Sequence, residues 1–134
     1  MSQLYQNRIV LRWALFALTV VTAVVHLVVG LQMQAAGEAE RSLLMILNGM
    51  GYFALLTAIA LGELRHIQRQ IFLYYALGVY TLVTFVLYFV LNGMAGFGAA
   101  AIVSKCAELL SVVVVGLYIF APGDRARRKK TRGR

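Results

Sequence analysis

The sequence predicts an all-α integral membrane protein: a four-helix bundle of antiparallel, up-and-down topology with both termini cytoplasmic. Three observations carry this reading. Hydrophobic residues fill 61% of the 134 positions and charged residues only 13%, about half the charged share usual in a soluble protein. Four apolar stretches are each long enough to cross a hydrocarbon core roughly 30 Å thick, and a soluble domain of this length could not hide so much apolar surface. Lysine and arginine fall almost wholly on alternate connecting segments, which sets the direction of insertion.

The first span covers 9–31. Arg8 stands just before it and Arg12 in its first turn, both in the basic N-terminal flank, and it carries one histidine, His26. Thr22, His26 and Gly30 recur every four residues and give it a small face. Read as a signal peptide, the same segment would end in "QMQAAG" and leave three helices. The apolar run is longer than a signal h-region, and the spanning reading is the one adopted. The second span covers 43–64, with Asn48 inside it and Ala54, Ala58 and Gly62 as a second small face. The third covers 71–92; Gly78, Thr81, Phe85, Tyr88 and Asn92 form a stripe that turns inward. The fourth covers 98–121 and ends at Pro122-Gly123. Continuous apolar runs without alternation exclude transmembrane strands.

The N-terminal flank, the segment "ELRHIQRQ" and the tail 122–134 together hold eleven lysines and arginines, whereas "QMQAAGEAER" holds Arg41 alone and "GMAGFG" none. That bias places both termini in the cytoplasm of a cell (plasma) membrane. Tyr5, Trp13, Tyr74, Tyr75 and Tyr118 on the inner side, and Tyr88 and Phe97 on the outer, suit the two interfaces. The formal charge of +8 would suggest nucleic acid in a soluble chain, but seven of thirteen basic residues lie in the last ten positions, so no nucleic-acid partner is expected. Arg125, Arg127, Arg128, Lys129, Lys130, Arg132 and Arg134 form a polybasic tail too charged to fold alone. It anchors the inner face, or binds anionic lipid at about 1 kcal/mol per basic residue, or an acidic partner.

The fourth span poses the main question, because "SKCAELL" sets Lys105 and Glu108 three residues apart inside it. A central charge costs about 2.5–3.5 kcal/mol on insertion scales, so such groups face the bundle interior and find partners. Helix geometry puts Lys105 roughly 10 Å and Glu108 roughly 15 Å below the outer end, with His26 roughly 7 Å and Asn48 roughly 8 Å deep on their own helices. Tyr88 and Asn92 occupy the outer part of the third span. A polar cluster of His26, Asn48, Tyr88, Asn92, Lys105 and Glu108 is therefore expected in the outer half. Thr19, Thr57 and Thr81, back-bonded to their own helices, leave the inner half little to match it.

Each residue also has a plainer reading. Lys105 and Glu108 form a structural lock, His26 is a hydrogen-bonded core histidine, and the asparagines join helices. His66 is solvated, Cys106 is packed and inert, and the methionines fill gaps. One cysteine excludes an internal disulfide and a Cys-x-x-Cys centre. His26 and His66 lie on opposite sides and cannot share a haem. No zinc motif, P-loop, G-x-S-x-G or carboxylate dyad is present, so no enzyme and no metal site is expected. Helix one lacks the glutamate of small multidrug exporters, and fluoride-channel signatures are absent.

The segments "HLVVG", "NGMGYFALL", "LYYALGVYTLVTFVLYFV" and "KCAELL" resemble those of small four-helix membrane proteins of unknown function from archaea and Chloroflexus-type bacteria, over about residues 20–120. The resemblance implies the four-helix fold and no activity or cofactor. Three functions fit the chain: an interaction or accessory subunit, paired with another membrane protein or with itself; a small-solute or proton transporter or channel using Glu108; and a pigment-, quinone- or lipid-binding subunit using His26.

A reporter active only in the cytoplasm should work when fused after Arg134 and stay silent at Gly37. The reverse result would invert the topology.

Overall fold

A computed structural model describes the backbone of residues 3–64, 70–92 and 98–120, and the side chains of 8–63, 70–91 and 98–120. Four helices fill these stretches: α1 (Gln3–Ala35), α2 (Ala39–Leu64), α3 (Gln70–Asn92) and α4 (Ala99–Phe120). Each is long and apolar enough to cross a membrane. The basic tail 122–134, His66, Arg65, Arg69, Phe97 and the Pro122-Gly123 stop lie outside the described residues.

The helices exceed the apolar runs where polar residues continue the turn. α1 begins six residues before its expected span and ends four after it. Gly37 stops it: at φ 83° it takes the left-handed conformation that glycine adopts without steric cost. Its N–H donates to Gln34 O (3.1 Å), and the Glu38 N–H donates to Met33 O (3.0 Å). These two bonds form a Schellman cap, which satisfies carbonyls left open at the helix end. The chain reverses within three residues, so α2 returns antiparallel along α1.

The packing is cyclic. α1 lies against α2 and α4, and α3 completes the ring by touching both. Side chains stack in layers along the bundle, the first three of which take one residue from each helix. Nearest the start of α1, Arg12 meets Glu63, Tyr74 meets Glu63, and the Tyr74 ring lies on Tyr118. One turn inward come Leu15, Ile59, Leu77 and Val115, all at most 5% exposed. Thr19, Leu56, Thr81 and Ser111 follow, all buried. The next layers hold Thr22, Ala23, Tyr52 and Glu108, then His26, Ser104 and Lys105. Long aliphatic side chains cover the outer surface, with Trp13, Val79, Val90 and Phe120 among the most exposed.

α1 and α2 approach most closely, and glycine permits it. A Cβ on Gly49 would stand 2.9 Å from the Ala23 carbonyl oxygen and 2.8 Å from Leu27 Cγ; one on Gly30 would stand 2.7 Å from Ile46 Cγ1. The small face expected on helix one, Thr22-His26-Gly30, does lie in a buried seam. The one expected on helix two does not make this seam. Ala54 is exposed, and Gly62 instead faces Leu73 and Gln70 of α3; Gly49 takes the close contact, because helical phase turns it and not Ala54 towards α1. Cys106, expected to be packed, is exposed on the outward face of α4, since the face shared by Lys105, Glu108 and Ser111 is the buried one. Thr19, Thr57 and Thr81 donate to the carbonyls four residues back at 2.7–2.8 Å, as expected.

Gly49→Ala should destabilise the bundle by about 1–3 kcal/mol, because a backbone oxygen cannot yield to the methyl group. Gly116→Ala, with nothing within 4 Å, should be neutral or stabilising by up to about 1 kcal/mol through helix propensity. Thermal unfolding in detergent compares the two; equal destabilisation would refute the close seam.

Candidate functional site

The buried face of α4 carries the polar centre because Ser104, Lys105, Glu108 and Ser111 recur at three- and four-residue spacings. Glu108 is fully buried. Its Oε2 accepts from Lys105 Nζ at 2.6 Å, and its Oε1 accepts from Ser104 Oγ at 3.1 Å. From α1, His26 Nε2 stands 3.5 Å from the same Oε1. The histidine's other nitrogen, Nδ1, lies 2.8 Å from Thr22 O. A carbonyl oxygen only accepts, so Nδ1 carries the hydrogen in that bond.

α3 closes the centre over the ammonium. Lys105 Nζ sits 4.6 Å from the Tyr88 ring centroid and 5.9 Å from that of Phe85, within cation–π range. α2 contributes Tyr52, whose ring is 5.8 Å from the His26 ring and 4.9 Å from Tyr80. Thr84 donates its one hydroxyl hydrogen to Thr81 O, so the 2.6 Å bond between Tyr52 Oη and Thr84 Oγ1 is donated by tyrosine. All four helices thus meet at one ionic centre.

Four of the six residues expected there come together: His26, Tyr88, Lys105 and Glu108. Asn48 does not join them. Its Oδ1 is buried without a hydrogen-bond partner among the described residues, and only its backbone carbonyl is used, accepting from Tyr80 Oη at 3.1 Å. The α1–α2 register, with Gly30 at Ile46 and Gly49 at Leu27, leaves Tyr52, one turn on, as the α2 side chain that reaches His26. Gly51 makes room for this arrangement: a Cβ there would collide with Tyr80 Oη. The side chain of Asn92 lies outside the described residues, as do all seven basic residues of the tail.

The sequence reading left the other half of the bundle nearly without polar contacts. This is corrected by a second network at the start of α1. Arg12 Nη1 pairs with Glu63 Oε2 at 3.1 Å, and Tyr74 Oη donates to Glu63 Oε1 at 2.7 Å. The Tyr74 and Tyr118 rings lie 4.3 Å apart, with Arg8 Cζ 5.8 Å from the Tyr118 centroid. Tyr74 and Tyr118 alone read as interface aromatics, Arg12 as part of the N-terminal flank and Glu63 as part of a connecting segment; only the bundle's register pairs them.

A cavity of about 400 Å³ opens beside α1 and α4 at the end where α1 turns into α2. Glu38, Arg41 and Gln32 line it, as do Val29, Met33, Met45 and Ala101, and it descends to His26, Ser104, Lys105 and Tyr88. The fold and this centre define a small protein of four helices, each long and apolar enough to cross a membrane, with a buried ion pair beneath an open pocket. Comparison of the chain with protein-family models, curated proteins and solved structures finds no match.

Removing one member of the pair strands the other, at roughly 3–5 kcal/mol, whereas replacing both with apolar groups is often neutral. Glu108→Leu should therefore lower stability more than Lys105→Met/Glu108→Leu does, in thermal unfolding followed by circular dichroism. Equal losses would mean that the two charges act independently.

Proposed function

We propose that the protein is a non-enzymatic, four-helix accessory subunit of the cell membrane, with both termini cytoplasmic, that holds a small amphiphilic molecule in its external pocket. The observation that supports this most is the descent of an apolar-walled cavity onto three polar groups, Lys105, Ser104 and His26. Pockets for small molecules are commonly apolar with a few converging polar groups, and about 400 Å³ falls in their usual size range. The Lys105 ammonium has three hydrogens, of which Glu108 takes one, so it can donate to a carbonyl oxygen at the pocket floor. Quinones and acyl lipids present such an oxygen on an apolar body.

His26 anchors Glu108 in this reading and does not ligate a pigment metal, since Nδ1 is bonded to Thr22 O and Nε2 faces Glu108. Glu38 and Arg41, paired at 3.4 Å, stand at the mouth, where water meets the pocket. The apolar outer surface faces lipid or the partner helices of the assembly, and the basic tail attaches to anionic headgroups of the inner leaflet.

Native mass spectrometry of the protein purified in mild detergent should show one retained amphiphile. Ala101→Trp, which fills the cavity from its wall, should abolish retention while leaving thermal stability within about 0.5 kcal/mol, the usual range of surface changes. Wild-type protein that emerges bare, or equal retention in the variant, would refute the pocket's role.

A further inference from the structure

The contact between His26 Nε2 and Glu108 Oε1 has a chemical consequence. Nδ1 bears the ring hydrogen given to Thr22 O, so neutral histidine presents a lone pair at Nε2. An ionised Glu108 presents only lone pairs at Oε1. Two acceptors 3.5 Å apart attract each other only when a proton lies on one of them. Facing the pair are Lys105 and Ser104 from α4 and Tyr52 from α2, with Tyr88 of α3 behind Lys105.

Beside and below Glu108, away from the pocket, two hydroxyls are buried without a hydrogen-bond partner among the described residues: Thr22 Oγ1 and Ser111 Oγ. Their residues are 1% and 2% exposed. Thr22 lies one turn from His26, in the layer of Glu108, and Ser111 lies one turn beyond Glu108, in the layer of Thr19, on packed, antiparallel helices. A buried hydroxyl left unpaired costs about 1–3 kcal/mol, and buried waters normally bridge such groups. The Thr19 and Thr81 hydroxyls stand beside Ser111 in that layer and complete the polar line. Below them the buried Leu15, Ile59, Leu77 and Val115 stand between this line and the Arg12–Glu63–Tyr74 network.

We propose that the bundle conducts protons along its axis, with the Glu108–His26 pair as the proton-holding centre and the Leu15–Ile59–Leu77–Val115 layer as the gate. A proton enters from water in the pocket and lodges between Nε2 and Oε1. It leaves to water held by Thr22 and Ser111, and the pair returns to its starting state, so no oxidant or other reactant is consumed. Transient wetting of the apolar layer, one side chain deep, passes it to Glu63, as hydrophobic constrictions gate other pores by dewetting. The path starts at the floor of the same pocket, but flux is read independently of ligand retention.

The test is proton flux into proteoliposomes, driven by a potassium gradient with valinomycin and read by an internal pH dye. The full chain should acidify vesicles faster than protein-free controls. Leu15→Ser should speed flux several-fold, and adding Glu108→Gln to it should return the rate at least tenfold towards the control. Ser111→Ala, a smaller change that leaves the ion pair whole, should slow the flux of Leu15→Ser several-fold. The proposal is overturned if both the full chain and Leu15→Ser match empty vesicles. It is also overturned if Leu15→Ser leaves the rate of the full chain unchanged, or if neither Glu108→Gln nor Ser111→Ala slows it.

Discussion

A carboxylate with no exposure, in a bundle whose surface is aliphatic, needs every lone pair answered from within. Glu108 is that group, and the architecture is arranged around it. Lys105 neutralises it from one turn away and Ser104 fixes its second oxygen. His26 brings α1 against α4, and Tyr52 brings α2 against His26. The Tyr88 and Phe85 rings of α3 hold the ammonium in place without a competing carboxylate. A hydrocarbon surrounding gives helices little hydrophobic reason to associate with each other, so packing and polar contacts must set the register. Here one ion pair sets it for four helices.

The close seams follow from the same requirement. His26 reaches Glu108 and Tyr52 only if α1 and α2 approach tightly, and Gly30 and Gly49 allow that approach. Tyr52 and Tyr80 pack edge-to-face because Gly51 leaves room for the Tyr80 hydroxyl. At the opposite end the Arg12–Glu63–Tyr74 contact ties three helices again, and the apolar layer between the two networks keeps them electrically apart. The bundle is therefore polar at two levels and dry between them.

Much of this was legible in the sequence, and the limits are instructive. Four continuous apolar runs fix four helices without reference to tertiary contacts, and the Lys105–Glu108 spacing puts the two on adjoining faces whatever surrounds them. The level of His26 followed from the antiparallel order. What failed depended on rotation and on helix ends. α1 continues to Ala35 through glutamines that a hydropathy reading discards, so its end lies four residues beyond the apolar run. Asn48 and Tyr52 lie one turn apart on α2, and composition favoured the amide, whereas the register chose the phenol. Glu63 looked like part of a solvated linker. Its partner Arg12 is 51 positions away, and no local pattern announces that pair. Cys106 is flanked by Lys105 and Ala107, both buried, yet faces outward because a helix turns about 100° per residue.

The central claim is that Lys105 and Glu108 are bonded inside the bundle and not drawn apart towards water. Solid-state NMR in lipid bilayers measures this directly, through the dipolar coupling between 15N at Lys105 Nζ and 13C at the Glu108 carboxyl. Hydrogen-bond geometry predicts strong dephasing, for a separation of roughly 3–4 Å, with no cross-peaks from Nζ to lipid headgroups. Absent dephasing, with Nζ in contact with headgroup phosphate, would show a snorkelling lysine and contradict the account.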